Sequence, residues 1–541
     1  MGSGVFPTIL MALLGLVRGT LVSSASACTA GTFVSLSLSN IEITSFNVTA
    51  AYKYSASANS FDGTGGVGVI SASTGTTAST VDICLIAMTY THPGQNDVIN
   101  TYIGLPLDAS DWNSRFLMEG GGGWLAGGES EILSPVLSGY SSSSTDGGHN
   151  TSSLATDWGL TSEGNTNWPT LWDFASVAIV EAAVLGKMAT EIYFGSAPKY
   201  SYWNGCSTGG RQGHMMAQQH PELFDGMVSG APAINWDKFI PSQFWGPFMA
   251  QLLDVQPPSC VLDAFTDAAI GACDLLDGVK DGLIAYPGQC FFQASSLVGQ
   301  MVNCSNPDEN TTITTEMAQL VAAMWEGPRS TEGHFEWYGF DHDSDLTAIL
   351  NTTCTSVHNC TMTPFGIADD WVKVFLARNS TFNTETLTHP DYDRLFRQSM
   401  DQYASVIGTE NPDLTNMKLA GTKMIAWHGM QDQLIPTNGS VDYYQRVMEF
   451  DTDAESYYRF FLAPGVKHCG GGDGFDPSDT VFGTLRAWVE NGTVPDSLEA
   501  TAKAVGDSKK SATRTAYLCP YPKVFTYTGG NPNQPSSFSC I

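Results

Sequence analysis

The sequence predicts an α/β fold: a mostly parallel sheet with helices on both faces, interrupted by a large insertion. Three observations carry this expectation. Short apolar runs alternate with helical patterns from residue 80 to 232, which is the signature of strands joined by crossover helices. A glycine-flanked serine turn sits where one such strand hands over to a helix. The alternation then stops near residue 233 and resumes after residue 411.

Residues 1–27 read as a secretory leader, an apolar run interrupted by Arg18 and closed by the small-residue site Ala25-Ser26-Ala27. No later segment approaches the ~18 continuous apolar residues of a membrane span, so a secreted, extracellular protein is expected. Twelve cysteines in an oxidising compartment imply disulfides. Sequons at Asn47, Asn150, Asn303, Asn310, Asn351, Asn359, Asn379, Asn438 and Asn491 suit a glycoprotein in which some are used. A formal charge of -30 argues against nucleic acid and anionic membranes as partners and favours solubility in acid surroundings.

In chain order, "DICLIAMTY" and "SRFLMEGGGG" read as strands, "DFASVAIVEAAVLGKMATEIYFG" as a strand passing into a helix, and "YSYWNG" as a strand feeding a helix at Gly209. From about 233 the chain becomes rich in cysteine, sequons, Trp and Phe. The α/β character returns at "GTKMIAWHG", "YYRFFLAPG" and the helical "TVFGTLRAWVENG". The expected organisation is a catalytic domain of residues 28–232 and 412–541 with residues 233–411 as a lid over the carboxyl ends of the strands, where such sheets bind ligands. The Pro-, Gly- and Ser-rich tail reads as an extended strap closed by its own bridge, Cys519 to Cys540.

Gly205-Cys206-Ser207-Thr208-Gly209 lies between strand and helix, as a nucleophile elbow requires. An ordinary Gly-rich turn with a capping Ser is the plainer alternative. A serine nucleophile needs a base, and the base an orienting carboxylate, which in α/β-hydrolases follow in the order Ser, acid, His. "WHGMQDQLIP" supplies Asp432 and "LAPGVKHCGGG" supplies His468 in that order, each in a loop after a strand. His428 precedes the acid and reads as structural; Asp473 and Asp476 are rival acids that follow the histidine. Cys206 directly precedes the serine and Cys469 directly follows the histidine, so a disulfide between them would clamp nucleophile to base. In the chain-entropy picture, closing a loop of that length contributes about 5 kcal/mol.

The run Glu119-Gly120-Gly121-Gly122-Gly123-Trp124 follows an early strand and suits one half of an oxyanion hole, with Gly121 and Gly122 as candidate donors and the N–H of Thr208 as the other half. In "CDLLDGVKDGLIAYPGQC", Asp274, Asp277 and Asp281 crowd a turn-rich loop between Cys273 and Cys290, expected to be bridged. With the carbonyls of Val279 and Leu283 they make an oxygen-only site suited to a structural Ca²⁺. Two Asp-Gly turns without metal are the plainer reading.

Together "GGGGW", "NGCSTGGRQG", "FDGMVSGAPA", "CDLLDGVKDGLI", "WHGMQDQLIP", "KHCGGG" and "CPYP" resemble the tannase/feruloyl esterase family over nearly the whole mature chain. The resemblance implies an α/β-hydrolase fold with an inserted lid, a triad of Ser207, Asp432 and His468, a Cys206–Cys469 bridge, and lid calcium at Asp274, Asp277, Val279, Asp281 and Leu283. It implies hydrolysis of a small phenolic ester or feruloylated oligosaccharide with no organic cofactor. The family divides between feruloyl esterases, favoured here because the lid is short and lacks an internal dibasic site, and tannases. A non-catalytic carbohydrate-binding protein would have a broken triad, and a lipase-like hydrolase a strongly amphipathic lid; neither fits this sequence.

Overall fold

The computed structural model describes residues 25–55, 80–149, 154–305, 308–506 and 512–541. Most of the leader, residues 1–24, and the sequon at Asn150 lie outside them.

The chain opens with three long antiparallel strands, β1 (Glu42–Tyr54), β2 (Val81–Thr91) and β3 (Ile99–Pro106). Next come β4 (Arg115–Glu119) and β5 (Ser142–Thr145), the latter antiparallel to β3. After helix α1 (Val177–Phe194) follow β6 (Tyr200–Cys206), helix α2 (Thr208–Gln219) and β7 (Gly226–Gly230). Beyond the insertion come β8 (Lys423–Gly429), helix α3 (Thr437–Phe450), β9 (Tyr458–Ala463) and helix α4 (Val481–Asn491).

Strands β9, β8, β7, β6 and β4 lie side by side in that order, all parallel. A bridge from Phe116 to Ser141 joins this sheet to the antiparallel one, with Leu117 N–H donating to Ser141 C=O at 2.9 Å. The fold is the expected α/β-hydrolase arrangement, with two corrections, of which the first is that β1, β2 ("DICLIAMTY"), β3 and β5 form an antiparallel sheet. Between β2 and β3 only residues 92–98 intervene, which leaves no room for a crossover helix. The second correction concerns "DFASVAIVEAAVLG", which is helical on both sides of a turn at Ser176, Trp168–Ala175 before it and α1 after it. Its apolar run is buried as a helix of Ala and other good helix formers against the sheet, a case periodicity alone does not separate from a strand.

Alternate residues of each parallel strand feed two cores. Phe116, Met118, Trp203 and Met227 pack against α1, α2 and α3. Leu117, Tyr202, Val228 and Trp427 pack beneath α4 and a tail hairpin, β10 (Leu498–Lys503) with β11 (Thr513–Leu518).

Residues 233–411 add no strand to this sheet. Their core of Trp236, Phe239, Phe248, Phe265, Leu320, Trp371 and Phe396 also takes in Trp124, Trp158 and Phe174 from before the insertion and Leu434 and Ile435 from after it. The insertion is thus continuous in packing with the loops above the strands. Disulfides Cys260–Cys304, Cys273–Cys290 and Cys354–Cys360 staple it, Cys28–Cys84 ties the amino terminus to β2, and Cys519–Cys540 closes the tail. No described helix is long and apolar enough to cross a membrane.

Arg115 on β4 grips Glu490 on α4 through two hydrogen bonds, of 2.8 and 2.6 Å, and Tyr202 Oη on β6 donates to the same carboxylate at 2.8 Å. The Arg115 bonds, set against partial burial, pull the Glu490 carboxyl down to about 2. A lowered folded-state pKa stabilises above the unfolded value and that stability is lost as pH falls. Glu490→Gln should therefore cost about 1–3 kcal/mol at pH 7, and urea titrations should show the deficit shrinking between pH 4.5 and 2.

Candidate active site

Ser207 occupies the turn between β6 and α2 at φ 60°, ψ -123°. This is a strained conformation for a residue with a side chain, of the kind that concentrates at functional sites. It exists because strand and helix touch backbone to backbone: a Cβ on Gly205 would stand 2.5 Å from the Gly209 carbonyl, and one on Gly120 2.4 Å from Gly209 Cα. Hydrogen bonds from Ser207 N–H to Gly230 C=O, 3.0 Å, and from Ala233 N–H to Ser207 C=O, 3.0 Å, hold the turn from both sides.

Asp432, in the loop after β8, is 1% exposed and every acceptor position is used. Its Oδ1 accepts the N–H groups of Leu434 and Ile435 at 2.8 and 2.9 Å, and its Oδ2 lies 2.8 Å from His468 Nδ1 and 3.1 Å from His428 Nε2. Burial alone would raise this carboxyl; the charge of His468 and the bonds from both histidines overcome that and hold it far below the usual range. An ionised acceptor at Nδ1 puts the His468 proton there and leaves Nε2 as the basic lone pair. That Nε2 is buried and has no hydrogen-bond partner among the described residues, while the His468 N–H is held by Gln433 Oε1 at 3.0 Å.

His428 is structural in the sense that its Nε2 also meets Ile435 C=O at 3.2 Å and its Nδ1 Ser440 Oγ at 2.8 Å. Two acceptors facing Nε2 require the proton there, so His428 is a second donor to Asp432, a role its sequence position does not disclose. Asp476 accepts the N–H groups of Gly471 and Ser478, and Asp473 pairs with Lys503. Neither carboxylate bonds His468.

Cys206 and Cys469 form a disulfide with Cα atoms 5.8 Å apart, closing a separation of 263 residues. Cys469, like Ser207, has positive φ, at 63°. The bridge thus fastens two strained segments to each other, one carrying the serine and the other the histidine.

The Gly-rich loop lies against the elbow through Gly209 N–H to Gly121 C=O, 3.0 Å, and Thr208 Oγ1 to Gly123 C=O, 2.7 Å. Gly121 is corrected as an oxyanion donor, because its N–H is already bound to Gln212 Oε1 at 3.1 Å. Among the described residues the N–H groups of Thr208, Gly122 and Gly123 have no protein acceptor. Gly123, absent from the sequence-based candidates, lines the same cavity as Ser207, Thr208 and His468.

That cavity is walled by Ala233, Trp236, Phe239, Ile240, Phe365, Ile367, Leu434 and Ile435, with Gln243 as the uncharged polar exception from the lid. Gln243 spends its Nε2 on Leu434 C=O at 2.6 Å, while its Oε1 and the Trp236 Nε1 are buried without partners. No spacing in "NWDKFIPSQFW" marks Gln243; only the fold turns it inward.

In the lid loop, Asp274 Oδ1 accepts the N–H groups of Asp281 and Gly282 at 3.0 and 2.9 Å, and Asp281 pairs with Arg514 from the tail hairpin. Burial, with Asp281 and Asp274 adding to it, pushes Asp277 up to about 6, and burial also raises Asp281. These carboxylates are less tightly gathered than His92, Asp97 and Asp173, whose ligand atoms lie within 4.8 Å of one another. Asn47, Asn303, Asn310, Asn359, Asn438 and Asn491 are exposed, whereas Asn351 and Asn379 are half-buried.

Replacing Cys206 and Cys469 together by alanine should lower kcat about 10²-fold, since a displacement near 1 Å between reacting groups costs that much, with KM within about threefold. Steady-state kinetics on the double variant checks this; an unchanged kcat would leave the bridge a purely structural staple.

Along most of its length the chain is similar to proteins of one known family. The family described as "Tannase and feruloyl esterase" matches residues 85–541. A probable feruloyl esterase of Arthroderma benhamiae is 40% identical over 85% of this chain and 86% of its own. A tannase of Aspergillus oryzae is 28% identical over 86% and 85%. The crystal structure of feruloyl esterase B from Aspergillus oryzae superposes with a TM-score of 0.76 at 26% identity, covering 96% of this chain and 100% of that one. With its serine elbow, its buried acid–histidine pair and a match over most of its length, the chain belongs to the tannase and feruloyl esterase family.

Proposed function

We propose that the chain is a secreted carboxylic ester hydrolase of the feruloyl esterase type, releasing hydroxycinnamic acids from small phenolic esters or feruloylated cell-wall oligosaccharides. The observation that carries this reading is an apolar, aromatic-walled cavity over Ser207 where, besides His468 Nε2, the buried acceptor Gln243 Oε1 and the buried donor Trp236 Nε1 have no partner among the described residues. A ferulate ring presents one hydroxyl donor beside an apolar methoxy group and satisfies that acceptor. Gallate presents three adjacent hydroxyls, and each donor left unpaired in a dry pocket costs about 1–3 kcal/mol. Tannase activity is the second reading, favoured by the tannase relative.

In the reaction, His468 Nε2 takes the Ser207 proton as Oγ attacks the ester carbonyl, and Asp432 steadies the imidazolium. The N–H groups of Thr208 and of Gly122 or Gly123 receive the developing oxyanion. His468 then protonates the leaving alcohol, and water activated by the same histidine frees the phenolic acid from the acyl-serine. Six disulfides and exposed sequons support an extracellular, glycosylated protein.

The lid carboxylates fit a structural Ca²⁺. Asp274, Asp277 and Asp281 against the single guanidinium of Arg514 leave two negative charges, three less one. The buried carbonyls of Val279 and Leu283 accept no hydrogen bond among the described residues. A hard cation drawing the loop together would use both features, far from any role in the chemistry.

Methyl ferulate, methyl 3,4-dimethoxycinnamate and methyl gallate distinguish the substrate readings. The wild type should prefer ferulate, Ser207→Ala should lose at least about 10³-fold in kcat/KM, and Gln243→Leu should lose about tenfold on ferulate while sparing the dimethoxy ester. A wild type that cleaves gallate alone would make the chain a tannase. Chelation with EGTA should lower the Tm by about 2–4 °C, reversed by Ca²⁺, and Asp277→Asn should abolish the response.

A further inference from the structure

Away from the catalytic cavity, four ionisable side chains meet under the loop between β2 and β3. His92 and Asp97 come from that loop, Asp173 from the helix Trp168–Ala175 and Glu181 from α1. They are 6%, 4%, 1% and 5% exposed. Three carboxylates and one imidazole in so dry a place are stable only if protons or a cation offset their charge. Nothing in acyl transfer at Ser207 uses them.

The geometry points to a binding site for a divalent transition-metal cation, of which Zn²⁺ is the type, formed by His92 Nδ1, Asp97 and Asp173, with Glu181 orienting the imidazole from behind. Nδ1 of His92 lies 2.5 Å from Asp97 Oδ2 and 3.9 Å from Asp173 Oδ1, and the three ligand atoms fall within 4.8 Å of one another. The opposite nitrogen, Nε2, lies 2.9 Å from Glu181 Oε1, which also accepts from Asn40 Nδ2 at 2.6 Å. A histidine whose far N–H is held by a carboxylate is the arrangement that fixes the tautomer of a metal-binding imidazole. Independently, Asp173 Oδ2 is buried with no hydrogen-bond partner. Asp97 Oδ1, by contrast, is occupied by Thr91 Oγ1 and the His92 N–H, so Asp97 is held in place and presents its other oxygen.

Binding exchanges the Nδ1 proton of His92 for the cation, while the Nε2 proton stays with Glu181. An imidazole with carboxylates selects a borderline cation over Ca²⁺, which prefers oxygen alone. The ion would pin the β2–β3 loop to the helix whose Phe174 and Ala175 carbonyls accept from Arg211 on α2. The site is a staple behind the nucleophile helix, separate from the lid loop.

The test uses the full secreted chain, stripped with a strong chelator, restored with Ca²⁺ and then titrated with Zn²⁺ alone. The expected result is about one equivalent of Zn²⁺ retained through gel filtration, measured by elemental analysis, with a raised Tm. Asp173→Asn should weaken Zn²⁺ binding about tenfold or more and leave Ca²⁺ retention and esterase turnover unchanged. X-ray absorption of the wild-type Zn²⁺ form, which needs no variant to fold, should show one nitrogen and oxygen ligands near ~2.0–2.2 Å. Failure to retain Zn²⁺, equal affinity in Asp173→Asn, or an oxygen-only shell would overturn the assignment and leave the cluster a proton-sharing network.

Discussion

The site depends on one steric constraint, the bare contact of strand β6 with helix α2. With no side chain on Gly205, Gly209 or Gly120, the backbone packs closely enough to force Ser207 into a left-handed turn. A serine held there cannot relax without separating the strand from the helix, so its hydroxyl is aimed before substrate arrives. The Gly-rich loop, bonded to Gly209, inherits its position from the same contact. Nucleophile and oxyanion donors are in this sense one feature of packing.

The acid is integrated differently. Asp432 remains ionised in a dry interior because four donors converge on it, two of them the N–H groups of Leu434 and Ile435. The side chains of those same residues wall the cavity and enter the lid core. One short loop therefore fixes the charge that orients His468 and part of the shape that selects the acyl group. A change in packing that tilts this loop reaches the histidine through the N–H groups that hold Asp432 and through the Gln433 side chain that holds the His468 N–H.

What the sequence discloses follows from how local each cause is. Ser207, Asp432 and His468 are legible because glycine spacing and chain order are written in adjacent residues, and the cysteines beside the serine and histidine lie in plain view. The pairing of Cys28 with Cys84, or of Cys260 with Cys304, is not legible, because it reflects distances that only the folded chain sets. The helical path of "SVAIV" escapes a reading by apolar runs, since a buried helix and a buried strand present the same composition. Gln212 and Gln243 escape for another reason: each is a lone polar residue whose partner lies on a different element, and no spacing within its own segment records that.

The 263-residue separation of the central disulfide also has a consequence in time. A chain emerging from the ribosome displays its serine elbow long before its histidine, and the sulfur that fastens the two arrives one residue after that histidine. The two halves of the site therefore meet late in synthesis and are fastened by oxidation. A reducing compartment withholds that fastening from the two halves of the site.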